Sequence, residues 1–298
     1  MAGPHEVEVV DTPYARPGGI ELLARVYRPT GASTASRAAV VYVHGGAWAR
    51  LDRTADAILC QALAGSGRVV VAIDFRQAPD HRFPAASADV AAGVRYARAH
   101  AGRLGVDPAR IGLLGSSSGG HLALLHAVRP DAPEAAGTPI VTPDGAPDAG
   151  RGDAEVAFVV ALYPVADPLA RYRYALSREH EPPPPSGFDA KRLIASHRAF
   201  FGDEAAMAGA SVTRIVAEGR ATARPPAWIA QPDLDDNVPA AITLAFVDAY
   251  RRAGGSVEHV HFPESRHGFA QQESPATDKC VAHVLDFVGR RTARPGGA

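Results

Sequence analysis

Three residue types that can divide the work of nucleophilic catalysis occur in this sequence in a telling order. A serine lies between glycines, aspartates cluster downstream, and a histidine follows near the C-terminal end. Gly115-Ser116-Ser117-Ser118-Gly119 directly follows the apolar run Ile111 to Leu114 and precedes the apolar stretch His121 to His126. A strand that turns at once into a helix strains the residue at the bend and presses the residues two positions away against backbone, so glycine is needed there. Of the three consecutive serines only Ser117 has glycine at both −2 and +2, which makes it the candidate nucleophile. It would stand at a helix N-terminus, whose partial positive charge favours a developing anion. Ser118 then supplies the backbone N–H that follows the nucleophile. The plain alternative is a Gly/Ser-rich turn that only joins strand to helix.

A serine hydroxyl is a weak nucleophile until a base takes its proton, and the base needs a carboxylate to hold its tautomer. The chain has 12 histidines, so position must decide among them. His267, in the loop Pro263 to Gly268 after the run Val257 to Phe262, has the setting of a base. His259 and His261 alternate along that run as packing or surface residues. His121 and His126 fall on the helix behind the serine, and His180, His197 and His283 lack a loop setting. Asp233, Asp235 and Asp236 compete for the acid in the loop after Ala227 to Ala230. Asp236 and Asn237 stand where a helix starting near Pro239 wants caps, and Asp233 is close enough to the strand end to serve the turn. Asp235 is the favoured orienting acid, with the other two as alternatives.

A tetrahedral intermediate also needs donors for its oxyanion. His44-Gly45-Gly46-Ala47-Trp48 follows the run Ala39 to Val43, and its small residues leave backbone N–H groups bare. Gly45, Gly46 and Ala47 with Ser118 are therefore the candidate oxyanion hole, each donor worth on the order of 3 kcal/mol in a transition state. His44 ends a strand before the loop it would have to serve and is expected to brace that loop. Trp48 either lines an acyl pocket or packs beneath an insertion.

These loops need a scaffold, and the sequence alternates short β-branched runs with longer amphipathic stretches. Strands are expected at Glu6 to Val10, Ile20 to Arg28, Ala39 to Val43, Val69 to Asp74, Ile111 to Leu114, Ala157 to Leu162, Ala227 to Ala230 and Val257 to Phe262. Helices are expected near Thr54 to Ala64, Ala86 to Ala101, Ser117 to Val128, Pro239 to Ala253 and Thr277 to Arg290. Such alternation means an α/β fold with a mostly parallel central sheet and helices on both faces. Right-handed crossovers then gather the loops after the strands along one edge. Two segments break the rhythm. Arg129 to Asp153, rich in Pro, Gly and Asp, reads as an exposed loop. Asp167 to Arg224, with Pro182-Pro183-Pro184-Pro185, is too long for a simple connection and reads as a partly helical cap, with a helix near Ala190 to Phe200. The expected organisation is a core of residues 1–166 and 225–298 with a cap insertion at 167–224, with or without help from the N-terminal segment.

The 298 residues suit one elaborated domain, and the formal charge of −1 offers no field to attract nucleic acid or an anionic membrane. No run is long and apolar enough to span a bilayer, and the N-terminal residues do not read as a secretory signal. Two cysteines make a disulfide framework improbable and a reducing cytoplasm the default.

Together the motifs resemble the α/β-hydrolase superfamily, specifically hormone-sensitive-lipase-like esterases and the neighbouring bacterial acetyl- and feruloyl-esterase-like and kynurenine-formamidase-like enzymes. The resemblance rests on His44 to Trp48, Asp74 to Pro79, Phe83 to Ala86, Gly115 to Leu122, Tyr163-Pro164, Pro225-Pro226, Gln231 to Pro239 and His267 to Phe269. It implies the α/β-hydrolase fold, no cofactor, no metal, and a two-step acyl-serine mechanism on a small-molecule ester. It also supports Asp235, which falls where that family's acid lies. The chain departs from the pattern at Ala47, where the third glycine is usual, and at Ser118 and Gln231-Pro232. An amidase, formamidase or carbohydrate deacetylase with the same triad stays open, as does a non-catalytic relative that binds a small molecule. A monomer or homodimer is expected.

Overall fold

In the computed structural model, residues 5–31, 37–144, 153–182, 184 and 188–293 are described. An antiparallel pair, β1 (Val7–Ala15) and β2 (Leu22–Pro29), opens the chain, and Pro17-Gly18-Gly19 turns between them. There follow β3 (Arg37–Val43), α1 (Ala57–Gly65), β4 (Val69–Ile73), α2 (Ala85–Ala99), the short α3 (Ala101–Leu104), β5 (Val106–Ser116) and α4 (Ser117–Val128). Next come β6 (Val159–Leu162), α5 (Pro168–Ser177), α6 (Ala190–Phe201), α7 (Glu204–Gly209), α8 (Val212–Ala217) and β7 (Ala227–Pro232). Helix α9 (Ala240–Arg252), strand β8 (Val257–Phe262) and helix α10 (Pro275–Thr292) complete the described chain.

The strands form one sheet in the order β1-β2-β4-β3-β5-β6-β7-β8, parallel from β4 to β8. Strands β3, β4 and β6 are runs of Val, Ala, Ile, Leu and Tyr because both faces of the sheet are covered. One face packs on α1 and α10 through Leu59, Leu63, Val284 and Phe287. The other packs on α2, α4 and α9 through Val90, Leu122 and Phe246. This is the α/β-hydrolase fold.

Register brings the site loops level with one another. Val43 of β3 pairs with Gly115 of β5, Ser116 with Leu162 of β6, and Pro232 of β7 with Phe262 of β8. The chain therefore leaves β3, β5, β6, β7 and β8 at one edge, as the crossover rule requires.

Two expectations change. The segment after α4 is not simply exposed: Thr138 is fully buried and its hydroxyl donates to Asp89 Oδ1 at 2.7 Å, so α2 anchors it. Residues 145–152 of that segment, and Pro183 and Pro185 of the proline run, lie outside the described residues. Among the described residues four helices stand between β6 and β7, of which sequence periodicity indicated only α6. Each begins at an acidic or hydroxyl cap: Asp167, Asp189, Asp203 and Ser211 accept backbone N–H groups of Ala170, Arg192, Ala206 and Arg214.

Candidate active site

Ser117 is the first residue of α4 and sits at φ +52°, a left-handed conformation that only a tightly determined bend imposes on a side-chain-bearing residue. The flanking glycines make the bend possible. A Cβ on Gly115 would lie 2.3 Å from Gly119 O, and one on Gly119 would lie 2.2 Å from both Val43 O and His44 O. The elbow is thus pressed against the loop after β3, and no larger residue fits between them.

The hydroxyl of Ser117 lies 2.8 Å from His267 Nε2, and His267 Nδ1 lies 2.9 Å from Asp235 Oδ2. The two loops come from neighbouring strand ends, which is why 32 residues of sequence separate groups that touch. The other carboxylate oxygen, Asp235 Oδ1, accepts the N–H groups of Asn237 and Val238 at 2.9 and 2.8 Å. Those bonds fix the carboxylate so that Oδ2 faces the imidazole. Tyr163, at φ +41°, sets its ring edge-on to His267 with centroids 4.8 Å apart.

Of the competing residues, neither is bonded to His267. Asp233 pairs with His261 Nδ1 at 2.7 Å on the outer face of β8. The backbone carbonyl of Asp236 accepts the Tyr174 hydroxyl at 3.0 Å. The N-cap of α9 is Pro239, without a side-chain bond, rather than the expected Asp236 or Asn237. Asp235 itself takes the free N–H groups of that turn, leaving Asn237 Oδ1 to accept from Arg171 at 3.1 Å.

On the other side of Ser117, Gly46 has φ +103° and Ala47 φ +55°. A Cβ on Gly46 would fall 2.0 Å from Arg50 O, so glycine is obligatory there. Ala47, where a third glycine would be unstrained, holds its left-handed turn at a cost of about 1–2 kcal/mol. Among the described residues the N–H groups of Gly46 and Ala47 have no acceptor. The N–H of Ser118, in the first turn of α4, has none within its helix. Gly45 packs against Ser116 and Ser117. The hydroxyl of Ser118 does something its backbone role did not suggest: it accepts the Trp48 N–H at 3.2 Å and ties the loop to α4.

His44 braces the loop as expected. Its ring is buried, stacks on Phe75 with centroids 4.3 Å apart, and reaches Gly45 O at 2.8 Å through Nδ1. Burial pulls its pKa down, so it stays neutral. Trp48 is the correction. It is fully buried and does not line the cleft. It stacks on Phe200 at 5.2 Å and meets His121, His197 and Phe201, because α6 closes over it.

The cleft above Ser117 has a volume of about 160 Å³, and Ala47, Leu51, Tyr163, Arg171, Arg192 and Leu193 are among its walls. A larger depression of about 700 Å³ lies between Arg178 and Lys191, beside the proline run, and contains no member of the triad. Among the described residues no group of three or more His, Cys, Asp or Glu could hold a metal ion, and no helix is long and apolar enough to cross a membrane.

A serine on a strained elbow, an imidazole at hydrogen-bond distance and a carboxylate fixing that imidazole can together attack an acyl carbonyl. The comparison with known proteins agrees. Residues 25–249 match the family model BD-FAE. The chain belongs to the BD-FAE family. It is 37% identical over 138 residues to esterase LipI of Mycobacterium tuberculosis, covering 46% of this chain and 42% of that one. To esterase LipQ of the same organism it is 27% identical over 305 aligned positions, covering 100% and 66%. The chain thus spans less than two thirds of these relatives' own lengths. In structure it is similar to an esterase of Pyrobaculum calidifontis, with a TM-score of 0.74 at 24% identity over 97% of this chain and 87% of that one. The α/β-hydrolase fold is common to both.

Proposed function

We propose that this BD-FAE family member is a serine esterase, with Ser117 as nucleophile, His267 as base and Asp235 as the acid that orients it. The observation that carries this reading is the unbroken chain of contacts, 2.8 Å from Ser117 Oγ to His267 Nε2 and 2.9 Å from His267 Nδ1 to Asp235 Oδ2. The names of the relatives support hydrolysis of a carboxylic ester.

His267 Nε2 takes the hydroxyl proton as Ser117 Oγ forms a bond to the acyl carbon. The carbonyl oxygen becomes an oxyanion held by the N–H groups of Gly46, Ala47 and Ser118, with Gly45 shaping the turn. Asp235, acceptor-only on both oxygens, stabilises the imidazolium. Collapse breaks the bond to the alcohol oxygen, which takes the proton from His267. Water then repeats the sequence: His267 accepts its proton, the hydroxide attacks the acyl-serine, and Ser117 Oγ leaves as the hydroxyl with the returned proton.

Helices α5 to α8 act as a cap, since α5 and α6 contribute Arg171, Arg192 and Leu193 to the cleft walls. A space of about 160 Å³, the room of roughly five waters at liquid density, favours short acyl groups. Both cysteines are free thiols, which supports a reducing, cytoplasmic setting. The test is labelling by a fluorophosphonate together with turnover of p-nitrophenyl acetate. Both should be lost in Ser117→Ala; labelling that persists in that variant would reject Ser117 as the nucleophile.

A further inference from the structure

The cleft over Ser117 is walled by three arginines, and the residues that line it include no aspartate or glutamate. Arg50 comes from the loop after β3 and is exposed, Arg192 of α6 is half-buried, and Arg171 of α5 is only 1% exposed. The three run from exposed to buried along the wall of the cleft.

Arg171 is incompletely satisfied. A buried guanidinium is tolerated when its donors are taken up. Here Nη1 donates to Asn237 Oδ1 at 3.1 Å, Nε approaches His197 Nε2 at 3.4 Å, and the group lies 5.2 Å over the Trp48 ring. Nη2 has no acceptor among the described residues. The carboxylate that offsets its charge is Asp235, whose oxygens are already occupied by His267, Asn237 and Val238. Burial accordingly pulls Arg171 down to about 9.

Arg192 and Arg50 compound the imbalance. Burial and the positive charge of Arg50 both push Arg192 down, and Asp189 offsets this only in part. The Asp189 carboxylate is itself occupied as the cap of α6. Neither Arg50 nor Arg192 forms a salt bridge among the described residues. Like charges gathered at a cleft whose nearby carboxylates are already engaged raise the local concentration of anions and are relieved when one binds.

We propose that this cleft takes substrates carrying a carboxylate in addition to the scissile acyl bond, received by Arg192 and Arg50 on the outer wall and Arg171 behind them. A guanidinium offers paired planar donors that match a carboxylate, which favours that anion over a bulkier one in so small a space. The proposal rests on the reading of Ser117 as an esterase nucleophile, and the experiment separates the two.

The test compares matched esters. p-Nitrophenyl hemisuccinate and its neutral methyl ester place the difference on the acyl side; 4-carboxyphenyl and 4-carbamoylphenyl butyrate place it on the leaving-group side. Hydrolysis in Ser117→Ala is subtracted throughout. The charged member of at least one pair should show kcat/KM about tenfold or more above its neutral partner. That ratio should fall severalfold in Arg192→Gln and in Arg50→Gln, chosen because neither side chain is packed in the core. Calorimetric titration with succinate and with neutral succinamide reads the same preference without turnover. Equal or inverted ratios in both pairs, or a preference unmoved by both substitutions, overturns the carboxylate receptor. Absence of Ser117-dependent hydrolysis of all four esters, with succinate still bound in preference to succinamide, overturns the esterase reading instead.

Discussion

Trp48 Nε1 donates to His121 Nδ1 at 3.3 Å, and the opposite nitrogen of the same imidazole reaches Ala210 O at 2.9 Å. One buried ring on α4 therefore joins the loop after β3, helix α4 itself and the corner between α7 and α8. Both contacts require neutral histidine, with Nδ1 accepting and Nε2 carrying the proton. Burial, with Arg171 adding repulsion, pulls His121 down to about 4. His126, one helical turn and a residue further along α4, donates to Ala154 O and is pulled down to about 4 by burial as well.

These two histidines set an acid limit on stability. Their folded-state pKa lies below that of an unfolded histidine, about 6.5, so between about 6.5 and 4 the unfolded chain binds more protons. Stability is full above that window and is lost as pH falls through it, on the order of 3 kcal/mol for each ring. Carboxylates held low by arginine, such as Asp11 between Arg25 and Arg53, lose their contribution only at lower pH. Urea midpoints should drop steeply from pH 7 to 4.5. The drop should be shallower in His126→Gln, whose amide can still donate to Ala154 O. A wild-type midpoint constant over that range would contradict the account.

Gly46→Ala tests the oxyanion loop. The added Cβ meets Arg50 O at 2.0 Å on a residue at φ +103°, so the turn must rearrange. The core is untouched, and the variant should fold. Losing one aligned donor costs about 10² to 10³ in kcat. Turnover within threefold of wild type, with unchanged circular dichroism, would mean that Gly46 does not position a donor.

Much of this was legible because backbone geometry dictates residue type. The elbow requires glycine at 115 and 119, and the sequence displays both; strand order pointed to the loop of His267 and to a loop with three aspartates, among which capping and the family resemblance favoured Asp235. Trp48 was ambiguous because its surroundings, Phe200 and Phe201 of α6, lie about 150 residues away and no local pattern announces that contact. Helices α5, α7 and α8 escaped because they are only 10, 6 and 6 residues long, too short for periodicity to stand out. Their caps at Asp167, Asp203 and Ser211 were the available signal. Arg171 could not have been found: an arginine in an unrecognised helix gives no sign that it will be buried beside Asp235.

Asp56 links the end of β5 to the segment that follows His267. Its Oδ2 accepts the hydroxyls of Tyr42 and of Ser116, the latter at 2.9 Å, and lies 3.5 Å from Gln271 Nε2. Asparagine keeps the shape and tolerates the left-handed backbone at φ +54°. Its amide nitrogen would replace Oδ1, which has no partner among the described residues, while a neutral amide oxygen accepts the three donors more weakly than a carboxylate oxygen, so Asp56→Asn should destabilise the fold by about 1–3 kcal/mol. Chemical denaturation measures this directly; a variant as stable as the wild type would show that the cluster adds nothing.

Asp235→Asn separates the acid from its neighbours and from mere packing. Oδ1 can still accept the Asn237 and Val238 N–H groups, which leaves the new amide nitrogen facing His267 Nδ1. That nitrogen donates, so His267 must carry its proton on Nε2 and point it at Ser117. The base is then in the wrong tautomer, a change that costs about 10⁴ in kcat where such triads operate. Asp233→Asn breaks only an exposed pair with His261, and Asp236→Asn leaves the backbone carbonyl that Tyr174 uses. Both should stay within a few-fold of wild type, as exposed pairs contribute little. Turnover of p-nitrophenyl acetate by the three variants decides the matter. If Asp233→Asn proves the crippled one, the acid has been assigned to the wrong residue.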